Sequence, residues 1–313
     1  MTKRPATITD PRSDPVVAAL SALVPGEVVR GELERGRGRR LRWVETGTDG
    51  PPVILVAGAG EVALDWAAIL PALAARFRVI AYDRAGLGGS DPVRPLTLNS
   101  QVDDLVALLD LAGPAVLVGH SWGGLLVQLA AIARPDNIMG LVLVDPYHEE
   151  VSDAVPFTLR AASRVMFNGV VLLKVVGLFN RIAAKMGRAL GERCAQDPRV
   201  QSLLAEAYVR SYATIRQVAT IRAENRLGDS CAGQIRKARA RSVAPNVPVR
   251  VLTAGRGKPP TLQQLAQESA EQTAARFPRG LHVVIADSGH YIHKDRPNAV
   301  VAAIVDVTGC RSD

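Results

Sequence analysis

Short apolar runs with little polar alternation recur along the chain, at residues 53–56, 78–82, 115–118, 141–144, 249–253 and 281–286. A strand with one wet face would alternate strictly, so the run at 53–56 predicts a strand buried on both faces, and the later runs predict strands of the same sheet. Between them, apolar residues at helical spacing predict helices over 62–77, 100–111, 122–133, 260–277 and 299–307. Asn99 or Ser100 is expected to cap the second of these, with Asp103 and Asp104 in its first turn, where acidic charge suits the helix dipole. Strands alternating with helices predict right-handed βαβ units and a mostly parallel sheet with helices on both faces. Upstream, residues 28–33 and 40–44 flank Gly36 and Gly38 and predict a hairpin. A short helix is expected over 15–24, closed by Pro25-Gly26.

The alternation stops after Asp145. Residues 151–243 hold no strand pattern and read as several helices broken at Asn168-Gly169, Gly187, Gly191, Pro198 and Gly228. That is too long for a structureless loop. The expected organisation is a tail and short helix over 1–25, an α/β core over 26–147 and 248–313, and a helical cap over 148–247. The 313 residues suit one such domain with an insertion. A hydrophobic share of 48% with 22% charged residues excludes a disordered chain, and no repeat pattern recurs.

Ligands of open α/β sheets bind at the carboxyl ends of strands, so chemistry is sought in those loops. Gly119-His120-Ser121-Trp122-Gly123 directly follows one predicted buried strand and opens a predicted helix, the context that gives a G-x-S-x-G pattern meaning. A serine on so tight a turn takes a strained backbone conformation, and flanking glycines remove the clashes. N–H groups at the start of the helix then face any oxyanion formed there. A serine needs a base. Of the five histidines, His120 adjoins the serine on a turn that points it elsewhere, His282 lies within a strand and His148 follows an earlier strand. His290 and His293 lie just past the last strand, and His290, with Gly289 giving the loop room, reaches back over the sheet edge. His290 is therefore chosen as base and His293 as a surface or structural residue. No further ligand cluster supports a metal on that pair, and the glycine segments lack phosphate-loop spacing.

Taken together, residues 53–58, 82–91, 119–124, 141–146 and 288–293, in this order and spacing, resemble the α/β-hydrolase superfamily, serine-nucleophile type with a helical cap. The resemblance spans nearly the whole chain and implies an eight-stranded, mostly parallel sheet with a cap inserted after the sixth strand. It implies Ser121 as nucleophile and His290 as base. Where the family often has His-Gly after the third strand, this chain has Ala57-Gly58. Ala59 and Trp122 N–H groups are then expected to form the oxyanion hole, with Gly60 as the alternative to Ala59. The family's usual acid position, after the seventh strand, offers no Asp here, only Glu268 and Glu271 in a predicted helix. Asp145 ends the sixth strand, a position that some dehalogenase-like members use, and is taken as the acid. Asp83 and Ser90 are expected to hydrogen-bond the backbone of the glycine-rich loop 83–91, and Arg84 is given no catalytic part.

The resemblance implies a carboxylesterase-like hydrolase that works through an acyl-enzyme on a small-molecule acyl substrate, without cofactor or metal. C–C bond hydrolysis and cofactor-free perhydrolysis are alternatives on the same fold, and a non-catalytic ligand receptor is a rival. Serine at 121 argues against dehalogenase and epoxide-hydrolase chemistry, which need a carboxylate nucleophile. The apolar stretch 165–179 is expected to cover the pocket and favour an apolar substrate. Charge adds little: the net +8 concentrates partly in residues 30–42 and 236–250, read as arginine-rich solvated surface because no nucleic-acid motif accompanies it. Cys194, Cys231 and Cys310 form no CxxC pair and suit free thiols in a reducing cytoplasm. The first ten residues lack the apolar core of about 7–15 residues that a secretory signal needs. Residues 165–179 fall short of the ~20 residues of a membrane span.

Overall fold

A computed structural model describes residues 14–48, 50–212 and 215–309, with Arg164 described by its backbone alone. The expected sheet forms from β1 (Val28–Arg35), β2 (Arg39–Gly47), β3 (Pro52–Val56), β4 (Arg78–Asp83), β5 (Ala115–His120), β6 (Ile138–Val144), β7 (Pro248–Ala254) and β8 (Arg279–Ile285). Their spatial order is β1-β2-β4-β3-β5-β6-β7-β8. The β1–β2 hairpin is antiparallel, β2 runs antiparallel to β4, and every later pairing is parallel. The chain passes from β3 outward to β4 and then back across to β5, so the order reverses at β3, and the crevice at its carboxyl end is where such sheets bind ligands.

The central apolar runs do what burial on two faces requires, whereas β8 is an edge strand whose Leu281, Val283 and Val284 are exposed. Val53 and Leu55 of β3 join one core layer, while Ile54 and Val56 join the other. In β5, Val116 and Val118 face the first layer and Leu117 the second. The helices Leu98–Ala112 and Trp122–Ala133 cover the second face, and Pro297–Thr308 lies on the first.

Two helices differ from expectation. Residues 62–77 do not form one helix but a 3₁₀ turn, Ala63–Trp66, and a short helix, Leu70–Ala74. Pro71 lacks the N–H that a continuous helix would have to donate back to residue 67. The helix expected to begin at Ser100 begins at Leu98, because Thr97 caps it. Thr97 Oγ1 accepts the Ser100 N–H and Ser100 Oγ accepts the Thr97 N–H, each at 3.0 Å. Asp104 thereby moves past the first turn to a buried position, where Arg39 and Arg35 hydrogen-bond it at 2.6 and 3.1 Å. Arg30 pairs with Asp14, Arg42 with Glu32 and buried Arg239 with Glu149. Much of the arginine in 30–42 and 236–250 is thus engaged with the protein's own carboxylates rather than simply solvated.

Between β6 and β7 run the helices Glu149–Ala154, Phe157–Val175, Phe179–Cys194, Pro198–Tyr212, Arg216–Ser230 and Ala232–Ala240. Among the described residues no single helix is long and apolar enough to cross a membrane. Of the apolar stretch 165–179, Phe167 lines a cavity of about 700 Å³, together with Val155, Arg160 and Arg222, but much of the rest faces outward. Val165, Met166 and Leu172 are 72%, 69% and 62% exposed, whereas Val170, Leu173 and Phe179 turn inward. Apolar residues occupy nearly the whole circumference there, so their spacing did not distinguish the inner face from the outer one.

Candidate active site

The carboxyl ends of β3, β5, β6, β7 and β8 bring the candidate residues to one edge. Ser121 follows β5 with φ 50° and ψ −117°, a strained backbone for a residue with a side chain. Main-chain bonds hold it there: its N–H donates to Val144 O at 3.0 Å, and its carbonyl accepts from Gly124 and Tyr147 N–H, each at 2.9 Å. A side chain at Gly123 would fall on the carbonyl oxygens of Val56 and Ala57, and one at Gly124 would come within 2.8 Å of Pro146. The turn therefore packs against β3 and the loop after β6 only without side chains there. Ser121 Oγ has no hydrogen-bond partner among the described residues and stays partly accessible.

Asp145 also sits at positive φ, 39°, with its N–H bonded to Leu252 O at 2.7 Å. Its buried carboxylate accepts from Ala254 N–H at 3.0 Å, Lys258 Nζ at 2.7 Å and His290 Nδ1 at 2.6 Å. Burial pushes this carboxyl up, but the bond from His290 and the Lys258 ammonium outweigh it and bring the pKa down to about 2. The His290 side chain remains 42% exposed. Desolvation by its surroundings nevertheless lowers its pKa below 6.5, against the opposing bond to Asp145. Glu268 bonds Gln264 on the exposed side of its helix, and Glu271 lies beside His282 instead of His290.

The two N–H groups assigned to an oxyanion hole are open. Trp122 is the first residue of its helix, so its N–H has no partner within it, and the Ala59 N–H bonds no described residue. The alternative, Gly60, is taken: its N–H donates to Glu224 Oε2 at 2.9 Å. Glu224 comes from the helix Arg216–Ser230 and also pairs with Arg84, both side chains 1% exposed, through bonds of 2.9 and 3.0 Å. Burial works against the Arg84 charge, but Glu224 more than compensates and raises its pKa. The same guanidinium donates to Ala57 O at 2.5 Å and Gly58 O at 2.7 Å. The loop bearing Ala59 is thus fastened on three carbonyl or N–H groups by one ion pair that crosses from the core to the insertion. Within loop 83–91, Asp83 accepts the N–H groups of Ala63 and Gly89, and Ser90 Oγ donates to Asp83 O, as expected.

His120, expected to point away, lies in the site. Its ring centroid is 4.6 Å from that of His290, and Nε2 donates to His290 O at 3.0 Å. Nδ1 meets Glu61 Oε2 at 2.6 Å. Burial alone would raise the Glu61 carboxyl, but His120 and Lys294 beside it hold it well below its ordinary value. Lys294 Nζ bridges Glu61 and Asp65 at 2.9 and 2.7 Å. His293 is buried against Trp66, ring centroids 4.6 Å apart, and so is structural rather than a surface residue. Glu61, His120 and His293 each offer a ligand atom within 4.8 Å of the others. They make a poor metal site all the same: both His120 nitrogens are committed, and an ammonium already neutralises Glu61. His148 stands at the N-cap position of the helix Glu149–Ala154 without a side-chain bond to it, its pKa pushed down to about 3 by burial and Arg239. Glu61, Lys258 and Glu224 escaped the sequence reading, and His120 and Arg84 were given no part in the site. Their partners are up to 233 residues away, and no local spacing signals them.

The alpha/beta hydrolase family matches residues 53–304, and the chain belongs to that family. The chain is 41% identical over 108 residues to Epoxide hydrolase A of Mycobacterium tuberculosis, covering 32% of this chain and 34% of that protein. It is 36% identical over 151 residues to Polyketide synthase ThaQ of Burkholderia thailandensis, covering 47% of this chain and 7% of the synthase. The chain thus spans about a third or less of these curated relatives. Among solved structures, Cfl2 of Burkholderia cenocepacia superposes with a TM-score of 0.68 at 24% identity, covering 96% of this chain and 99% of that one.

Proposed function

We propose that the protein is a serine hydrolase that cleaves a carboxylic ester, or a related acyl bond, of a small molecule through an acyl-enzyme. The observation that carries this reading is the Asp145–His290 pair, 2.6 Å apart, on the same sheet edge as the strained Ser121. An ionised Asp145 fixes the proton on Nδ1 and leaves Nε2 as the basic nitrogen. Ser121 Oγ attacks the acyl carbon while Nε2 takes its proton. Ala59 and Trp122 N–H groups receive the developing oxyanion. His290 then gives the proton to the departing alcohol, which leaves the acyl group on Ser121. Water repeats the sequence: it gives a proton to Nε2 and attacks the acyl carbon, and the acid is released as Nε2 returns the proton to Ser121 Oγ. The Ser121–His290 hydrogen bond forms as substrate binds, since catalytic hydrogen bonds of this kind tighten in the complex with substrate.

The likeness to an epoxide hydrolase does not carry over its chemistry, because Ser121 cannot supply the carboxylate nucleophile. Much of the stretch 165–179 faces outward, and the cavity that Phe167 lines also carries Arg160, Arg222 and Arg226, so the acyl chain is left open. The helical insertion, residues 148–247, acts as a cap through its bond from Glu224 to the Ala59 loop. The buried or half-buried free thiols Cys194 and Cys231 fit a reducing compartment. A panel of p-nitrophenyl esters of increasing acyl length tests the activity. Turnover that vanishes in Ser121→Ala supports it, and a folded parent that hydrolyses none of them favours a ligand receptor on the same fold.

A further inference from the structure

The insertion carries an apolar surface that its own chain leaves uncovered. On the helix Phe157–Val175, Leu159, Val165, Met166, Leu172 and Val175 are 44–72% exposed. Val165 and Met166 are adjacent and the others lie three or six residues apart, so at about 100° per residue they form a band over roughly half of the helix circumference. The band continues past the bend through Val176 and Leu178 to Ile182 and Met186, which are 40% and 48% exposed. The inner side of the helix Phe179–Cys194 is fully used. Phe179, Ala183, Gly187 and Leu190 are buried, and side chains at Gly187 or Gly191 would come within 2.9 Å of the backbone of Ala205 and Gln201. Exposed apolar area of this extent on one face marks a surface that meets something.

Charge says what that is. Residues 157–194 hold seven Lys or Arg and one Glu, six of the chain's eight net positive charges. Arg181, Lys185 and Arg188 are exposed and make no ion pair or side-chain hydrogen bond with a described residue. Each stands one position before Ile182, Met186 or Ala189, so a free cationic stripe runs beside the apolar one, about 100° around the helix. Two copies packed face to face would set these cations against each other. An anionic lipid surface instead takes the apolar stripe into its headgroup boundary and the cations onto its phosphates.

We propose that the outer face of the bent helix pair Phe157–Val175 and Phe179–Cys194 docks the protein on anionic membrane surfaces, lying in the interface without spanning it. This surface is separate from Ser121, His290 and Asp145, and its test does not depend on turnover.

The experiment is co-sedimentation of the full chain with vesicles of phosphatidylcholine alone or mixed with phosphatidylglycerol, across a salt series. The parent binds the mixed vesicles and releases as salt rises. Arg181→Gln, Lys185→Gln and Arg188→Gln together weaken binding about a hundredfold, at roughly fivefold per cation. Val165→Ser, Met166→Ser and Leu172→Ser together weaken it at least tenfold. Both sets lie on solvent-exposed positions, and an unchanged thermal melt, read against the parent, shows that the fold persists. Equal sedimentation with both vesicle types, or variants that bind like the parent, overturns the proposal. So does a parent that fails to bind vesicles and sediments as a dimer in the ultracentrifuge, with the serine variant monomeric, which would assign the face to a second copy.

Discussion

Asp145→Asn isolates the acid's part with almost no change of shape. The carboxylate now accepts three hydrogen bonds, one from an ammonium and one from His290. The amide keeps one acceptor oxygen and offers N–H groups in place of the other. Lys258 and His290 share Oδ2 while the Ala254 N–H bonds Oδ1, so the amide withdraws the acceptor either from Lys258 and His290 together or from Ala254. If the amide nitrogen faces His290, the imidazole must carry its proton on Nε2, the atom that should take the serine's proton. Loss of the correct tautomer costs on the order of 10⁴ in the rate of acylation. Stability should fall much less. The carboxyl stands near pKa 2 against an ordinary 3.8. At about 1.36 kcal/mol per unit, that is about 2 kcal/mol of stabilisation of the charged form. The folded pKa is depressed, so this contribution is full above about pH 4 and is lost as pH falls toward 2. A melt at neutral pH should drop by only several degrees, at roughly 2–4 °C per kcal/mol for a protein approaching this size. The assay is the pre-steady-state burst of p-nitrophenol from an activated ester, with Glu268→Gln and Glu271→Gln alongside. A folded Asp145→Asn enzyme that acylates within tenfold of the parent would refute the reasoning, and a crippled glutamate variant would relocate the acid.

Glu224→Gln leaves the Arg84 guanidinium, 1% exposed, without its carboxylate and loosens the loop that carries Ala59. The kcat should fall about 10–100-fold with KM nearly unchanged; a lowered melting temperature with kcat intact would make the ion pair purely structural. The base must be neutral, and desolvation lowers the His290 pKa. The acid limb of kcat/KM should therefore fall below pH 6.5, and a limb above 7 would contradict that environment. Gly123→Ala places a methyl group on the carbonyl oxygens of Val56 and Ala57. It should yield insoluble or inactive protein, whereas a stable, fully active variant would show that the turn has room to spare.

The strands, their parallel pairing and the serine turn were legible because each is written locally. The runs at 53–56, 115–118 and 141–144 are buried on both faces, and a strand of that kind carries its signature in four residues. Asp145 and the loop of His290 were legible because strand ends fix where chemistry can sit. The helix over 62–77 was misread because one proline outweighs the apolar spacing around it. Arg84 read as a loop residue, yet its meaning lies in Glu224, and no periodicity links two residues across an insertion. His120 was misplaced for a related reason. The turn does aim it away from Ser121, but the loop after β8 folds back over it, which only the assembled sheet reveals. In the insertion, spacing identified an apolar stripe but not its partner, because the same helical period serves a core and an outer surface.

The most direct test of the central claim is to treat the protein with an alkyl fluorophosphonate and locate the adduct by peptide mass spectrometry. Attack by an activated serine on phosphorus expels fluoride and leaves a stable phosphonyl ester. The account predicts one stoichiometric adduct on Ser121, absent from Ser121→Ala and slowed by orders of magnitude in Asp145→Asn. An adduct on another residue that persists in Ser121→Ala, or no adduct on folded parent protein, would contradict it.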